Sequence, residues 1–251
     1  SVEVISRKVN KTLLFTNSIA VFVASLLVYV LNEPTLFVIK ISTWHIHAIP
    51  YFVILGILAG INSVFLTKCV LFFKSQFLKI EKNQNKVLVG TVIIGSAILL
   101  LPILYGDSYH GVKEILGHSN TNFTLKFFLS IFGILLLKPI ITAITLASGG
   151  DGGVFAPSLV IGAFLGFFVA TFLNTFFNAN VLPINFIIIG MAALLSASIH
   201  APFTALFLVC SIVNDYTLFF PILLVCLISK YTAKYIFPHT VYSYNLNPIK
   251  A

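Results

Sequence analysis

The chain reads as an all-α, polytopic membrane protein, and three observations carry that reading. Hydrophobic residues make up 59% of its 251 residues and charged ones only 9%, with a mean hydropathy of +1.04; ordinary soluble domains are about 25% charged. Apolar runs recur at or near the roughly 20 residues that a helix needs to cross a hydrocarbon core. The basic residues gather at the ends of those runs, so the net charge of +8 marks cytoplasmic ends of spans rather than a nucleic-acid surface. Cys69, Cys210 and Cys226 lie scattered in apolar runs without ligand spacing and read as inert core thiols. Nothing in the chain calls for a metal or an organic cofactor.

Taken in order, the elements follow from the same logic. Arg7, Lys8 and Lys11 precede an apolar run at 12–31 and place that end in the cytoplasm. Asn32, Glu33 and Pro34 end it, 33–50 forms an outer loop, and 48–73 returns inward. The stretch 74–86 is the most basic loop, with Lys74, Lys79, Lys82 and Lys86 against a single Glu81, and its cytoplasmic placement agrees with the first assignment. The run 87–104 goes back out. Within the polar stretch 105–122, His110 to Gly117 is too short to span and reads as a re-entrant or surface helix. The run 123–146 spans again but is interrupted by Lys138-Pro139; the lysine either faces protein or a wet cavity, or snorkels to the interface. Helices at 154–177, 184–199 and 203–213 follow, with Gly162, Ala163 and Gly166 allowing close helix approach. The span 217–235 ends at Lys230 and Lys234, and a tail carries Tyr242 and Tyr244.

Between two of these runs lies SGGDGGVFAPSLVIGAFLG, residues 148–166. Gly149, Gly150, Gly152 and Gly153 surround Asp151; they cannot continue a helix cheaply and free the backbone for turns with positive φ. Val154-Phe155-Ala156-Pro157 opens a new run, with Pro157 suited to a first helical turn. A helix that starts inside a membrane offers unpaired N–H groups and a positive dipole end, so the amides near Val154 and Phe155 can hold an anion. The plainer alternative is a glycine-rich loop joining two spans. Asp151 suits a cap at the bend, its side chain turned away from any anion.

The order of these residues resembles a known family. GGVFAPSLVIGAFLG is similar to the pattern G-G-[IV]-F-A-P-x-L-x-I-G-A-x-x-G of the CLC chloride channels and chloride:proton antiporters. GMAALLSASIHAPFTALFLVCSIVNDYTLFFP, residues 190–221, resembles a second stretch of that family, with Ser211 where a glutamate often stands. The basic Lys138 also matches the family pattern at its distance before the glycine loop. The resemblance implies a CLC-type inverted-repeat fold, of which 1–251 is a partial transmembrane domain, the end of the first repeat plus the second. It implies a chloride ion held by the amides of Val154 and Phe155 beside Gly152 and Gly153, with the hydroxyl of Tyr242 completing the shell. Tyr244 takes that role if the register slips; both tyrosines read otherwise as interfacial anchors.

The same resemblance sets expectations for partners and coupling. The missing N-terminal half of the same protein carries the rest of the pathway, since neither a G-S-G-I-P nor a G-[KR]-E-G-P segment occurs here. A homodimer is implied, with 12–31, 203–213 and 217–235 as contact helices, in a plasma (inner) membrane and without a CBS domain in this chain. Glu3 resembles the first of two internal glutamates of the antiporters, and Val4 stands where the second is expected; an apolar group cannot relay protons. That tilts the reading to passive conduction, as in a channel, or to altered coupling, with a chloride:proton antiporter as the alternative. A remote alternative is enzymatic: Gly149-Gly150-Asp151 in an apolar context is similar to the G-x-G-D motif of intramembrane aspartyl proteases, which need two facing aspartates. Asp107 and Asp215 fall in predicted loops, so the chain is expected not to be an enzyme.

Overall fold

A computed structural model describes residues 11–31, 41, 43–105, 111–112, 125–150 and 152–244. Among them are eight α-helices and no strand: α1 (Lys11–Leu31), α2 (Ile49–Leu78), α3 (Asn83–Leu100), α4 (Leu125–Ala147), α5 (Phe155–Phe177), α6 (Pro183–Ile199), α7 (Pro202–Val213) and α8 (Phe219–Ile236). Helices of the right length and apolarity to cross a membrane are found at Ile46–Leu78, Asn83–Leu100, Phe128–Ala147, Phe155–Phe177 and Phe219–Ile236. With no water at that depth, a helix is the way each of these segments satisfies its own backbone. The protein is a multi-pass integral membrane protein.

The core forms around α6. Every residue of that helix from Asn185 to Ile199 is buried, although it has 17 residues and is too short to count among the spans. It lies against α5 through Gly162, Gly166 and Gly190. A Cβ on Gly166 would run into the Phe186 carbonyl, and one on Gly162 would run into that of Gly190. Backbones this close leave no room for a side chain, which is the close approach that the small residues of 162–166 predict. On the other side α2 and α8 run parallel: a Cβ on Gly60 would stand 2.7 Å from Thr232 Cβ, and Lys68 sits 5.9 Å from the centre of the Phe237 ring. The C-terminal ends of α2 and α8 therefore share one side of the protein, and Lys74, Lys230 and Lys234 sit toward that side, as the positive-inside reading requires.

Several boundaries differ from the sequence reading, each for a physical reason. The basic stretch 74–86 is mostly helical: α2 runs on to Leu78 and α3 begins at Asn83, because lysine and glutamine are good helix formers once outside the lipid. Pro139 does not interrupt the fourth run; it sits inside a continuous α4, as membrane helices tolerate where neighbours compensate. Of the described glycines only Gly149 adopts positive φ, +100°. His110 and 113–117 lie outside the described residues, as do Glu3, Val4, Arg7, Lys8, Asp107 and Asp151; Gly111 and Val112 are helical and buried. α1 keeps an apolar surface exposed along its length, and so do the outer faces of α7 and α8 at Phe203, Phe207, Phe220 and Tyr231.

Candidate functional site

The site begins where α4 ends. Ser148 N–H still donates to the Ile144 carbonyl at 2.9 Å, then Gly149 turns left-handed and Gly150 N–H reaches back to the Thr145 carbonyl at 2.9 Å. That six-to-one bond across a left-handed glycine closes the helix and satisfies one of its last carbonyls. Ser148 Oγ donates to the same Thr145 oxygen at 3.0 Å. A Cβ on Gly150 would lie 2.7 Å from it, so position 150 is glycine for want of space rather than for its φ.

Four residues later a new helix opens. Val154, with φ −81° and ψ −2°, is the N-cap of α5, and no side chain caps it. Ser158 N–H donates to the Val154 carbonyl at 3.0 Å, the first bond of the new helix. Pro157 has no N–H to give. The N–H groups of Val154, Phe155 and Ala156 meet no carbonyl of the described residues, while the Val154 side chain is 1% exposed. A helix start of this kind presents bare donors and the positive end of the dipole to an anion.

Two contacts fix the depth of this opening. Ser158, in the first turn of α5, hydrogen-bonds Ser198 Oγ, which in turn meets Ser63 Oγ, each at 3.2 Å. Ser63 lies halfway along the 30-residue α2, about 20 Å from either end. On the opposite flank, a Cβ on Gly90, within α3, would run into Ser148. The break between α4 and α5 therefore sits inside the span and not at its edge.

Tyr242 reaches the same place from the tail. Residues 240–243 form a tight turn: Thr240 N–H donates to Ser243 Oγ at 2.8 Å, Ser243 N–H to Thr240 Oγ1 at 3.1 Å, and Tyr244 N–H to the Thr240 carbonyl at 3.2 Å, with Thr240 buried. The turn brings the Tyr242 hydroxyl to 3.4 Å from the point where a Cβ on Gly153 would stand, and the same point is 3.8 Å from Phe155 N. Hydroxyl and amide thus flank one small space beside Gly153. Nothing crowds Gly152, whose Cβ position is open to 4 Å. Tyr244 goes elsewhere; its ring lies 6.2 Å from Phe237 and 5.4 Å from His239, centroid to centroid. Geometry brings together Gly153, Val154, Phe155 and Tyr242, and leaves Tyr244 out.

The remaining candidates sort as follows. Lys138 is 3% exposed and its Nζ donates to the Leu104 carbonyl at 3.0 Å, so it faces protein and does not snorkel. Ser211 is exposed. Asp215 accepts from Thr217 N–H at 2.7 Å in the turn after α7, far from mid-span. The serines that tie α2, α5 and α6 together carry no signal as a set in the sequence, because Ser63, Ser158 and Ser198 lie in three separate apolar runs.

The fold and this site define a helical, multi-pass membrane protein in which one helix ends and the next begins at membrane depth, with a tyrosine hydroxyl close to the start of the second. Comparison with known proteins gives the family. The profile described as Voltage gated chloride channel matches residues 1–234, and the chain belongs to that family. It is 31% identical over 182 residues to the H(+)/Cl(-) exchange transporter ClcA of Vibrio vulnificus strain YJ016, covering 70% of this chain and 38% of that protein. It is 26% identical over 230 residues to the voltage-gated ClC-type chloride channel ClcB of Salmonella typhimurium strain LT2, covering 89% of this chain and 54% of that one. Among solved structures, a slow cyanobacterial Cl-/H+ antiporter superposes with a TM-score of 0.67 at 23% identity, over 84% of this chain and 49% of that one. A eukaryotic CLC transporter gives 0.65 at 18% identity, over 81% and 35%. These structures share the fold. The chain spans roughly half the length, or less, of the relatives it matches.

Proposed function

We propose that this chain supplies one half of a chloride pathway, with the ion held by the amides of Val154 and Phe155, by the loop at Gly152 and Gly153, and by the hydroxyl of Tyr242. The observation that carries the reading is the single space beside Gly153 that both the Phe155 nitrogen and the Tyr242 oxygen border. Neutral donors suit a transported ion. They replace part of its hydration shell, and a full positive charge at the site would hold it too tightly to leave. A positive helix end adds attraction without a titratable group.

Transport, rather than catalysis, is the activity that family membership favours. A protease would need a second aspartate facing Asp151, and Asp215 is engaged in a surface turn. Channel and antiporter remain two readings of one pathway, since the matched relatives carry both kinds of name; Val4 favours the channel. The remaining part of the pathway comes from the N-terminal half of the protein. A homodimer in the plasma membrane follows from the family, with the exposed apolar faces of α1, α7 and α8 as its contact surface. The deciding experiment is chloride efflux from proteoliposomes holding the full-length protein. Chloride flux that saturates and is accompanied by no proton movement supports the channel, stoichiometric proton counter-movement supports the antiporter, and no anion flux rejects the proposal.

A further inference from the structure

We infer that Ser198 is a positioning residue for the anion-binding end of α5, acting through Ser158; this rests on the chloride reading of that end. Three hydroxyls meet at membrane depth, all of them buried: Ser63 on α2, Ser158 in the first turn of α5 and Ser198 in the last turn of α6. Ser198 Oγ donates to the Leu194 carbonyl at 2.8 Å, Ser158 Oγ donates to Ser198 Oγ at 3.2 Å, and Ser63 Oγ lies 3.2 Å from the same oxygen. Each hydroxyl has one proton and two lone pairs. Ser198 has spent its proton on Leu194, so Ser63 must donate as well, and Ser198 accepts two bonds while giving one. It is the saturated hub, and its neighbours are spokes.

The hub matters to the ion because of where its spoke ends. Ser158 N–H makes the first backbone bond of α5, to the carbonyl of Val154. That carbonyl and the Phe155 N–H belong to one planar peptide unit. No side chain caps this helix start, so the Ser158–Ser198 bond is a side-chain tether on the first turn, fixing its height and rotation against α6. Glycine contacts hold the α5–α6 pair further along, at 162 and 166; at the first turn Val154 and Leu159 pack in the apolar core, and the Ser158–Ser198 bond adds a directional hold there.

The hub arrangement gives an asymmetric prediction. Removing Ser198 strands two buried donors and takes the directional bond from the first turn, whereas removing Ser63 leaves the Ser158–Ser198–Leu194 chain complete. The test uses the full-length protein in proteoliposomes and measures the half-saturating chloride concentration and the maximal flux per folded protein, with melting temperature alongside. Ser198→Ala and Ser158→Ala should each raise the half-saturating concentration about tenfold. The double variant should be no worse than Ser198→Ala, since both remove one tether. Ser63→Ala should lower the melting temperature with less than a twofold change in half-saturation. If Ser198→Ala does not fold, Ser158→Ala decides alone. Unchanged half-saturation in folded Ser158→Ala, with only maximal flux or melting temperature reduced, overturns the inference. Gly153→Ala is measured in parallel. If it too leaves half-saturation unchanged, the chloride site itself is wrong; if it weakens binding while the serine variants do not, the tether alone is rejected.

Discussion

Replacing Gly153 by alanine isolates the proposed anion space from the fold around it. The new methyl would stand 3.4 Å from the Tyr242 hydroxyl oxygen, 3.8 Å from Phe155 N and 3.9 Å from Phe155 Cδ2. These are ordinary contact distances, and Gly153 is not among the residues with positive φ, so alanine should be accepted without strain. The methyl nevertheless occupies the volume between hydroxyl and amide. Chloride would then lose at least one of its charge-assisted contacts, each of about 1.5–3 kcal/mol, which is roughly tenfold to 150-fold in Kd. Calorimetric titration of chloride into detergent-solubilised full-length protein measures that change, and thermal melting in the absence of chloride should show the fold intact. A Gly153→Ala protein that binds chloride with the parent affinity would refute the reasoning, because an ion and a methyl cannot share the space.

Other expectations follow from the same geometry. Tyr242→Phe removes one neutral donor and should weaken chloride binding about tenfold, while Tyr244→Phe, whose ring packs on Phe237 and His239, should not; the same titration compares them. Gly166→Ala drives a Cβ into the Phe186 carbonyl, and because both partners are backbone the pair must separate, at about 1–3 kcal/mol, read as a lowered melting temperature. Lys138→Met takes the buried donor from the Leu104 carbonyl and should destabilise by about 1–3 kcal/mol in denaturant titration. Asp151→Asn should leave most anion flux in place; an activity abolished by that change would favour the protease reading over the chloride one.

Much of the architecture is legible in the residues themselves. Apolar run length forces helices, because lipid offers backbone groups no other partner, and the lysines at 74–86, 230 and 234 orient them. The glycine run and Pro157 announce a helix end and a helix start side by side. Their order, GGVFAP, resembles the chloride-channel family, and it is that resemblance which implies an anion there. Local chemistry is enough for the helices and their ends because each depends on neighbours in sequence.

Other features depend on residues far apart in the chain, and only the packed structure decides them. The resemblance points to Tyr242 and leaves Tyr244 as the substitute for a slipped register; the turn closed by Thr240 and Ser243 sends the Tyr242 hydroxyl to Gly153 and the Tyr244 ring to Phe237. Lys138 could snorkel or be buried until α4 places it against the Leu104 carbonyl. Pro139 signals a break, yet the surrounding helices hold α4 continuous through it. Ser63 and Ser198, separated by 135 positions, become neighbours because α2 packs on α6, and Ser158 joins them where glycines let α5 and α6 touch. A pattern along the chain fixes which groups are left bare at a helix end, but which distant group comes to face them is a matter of packing.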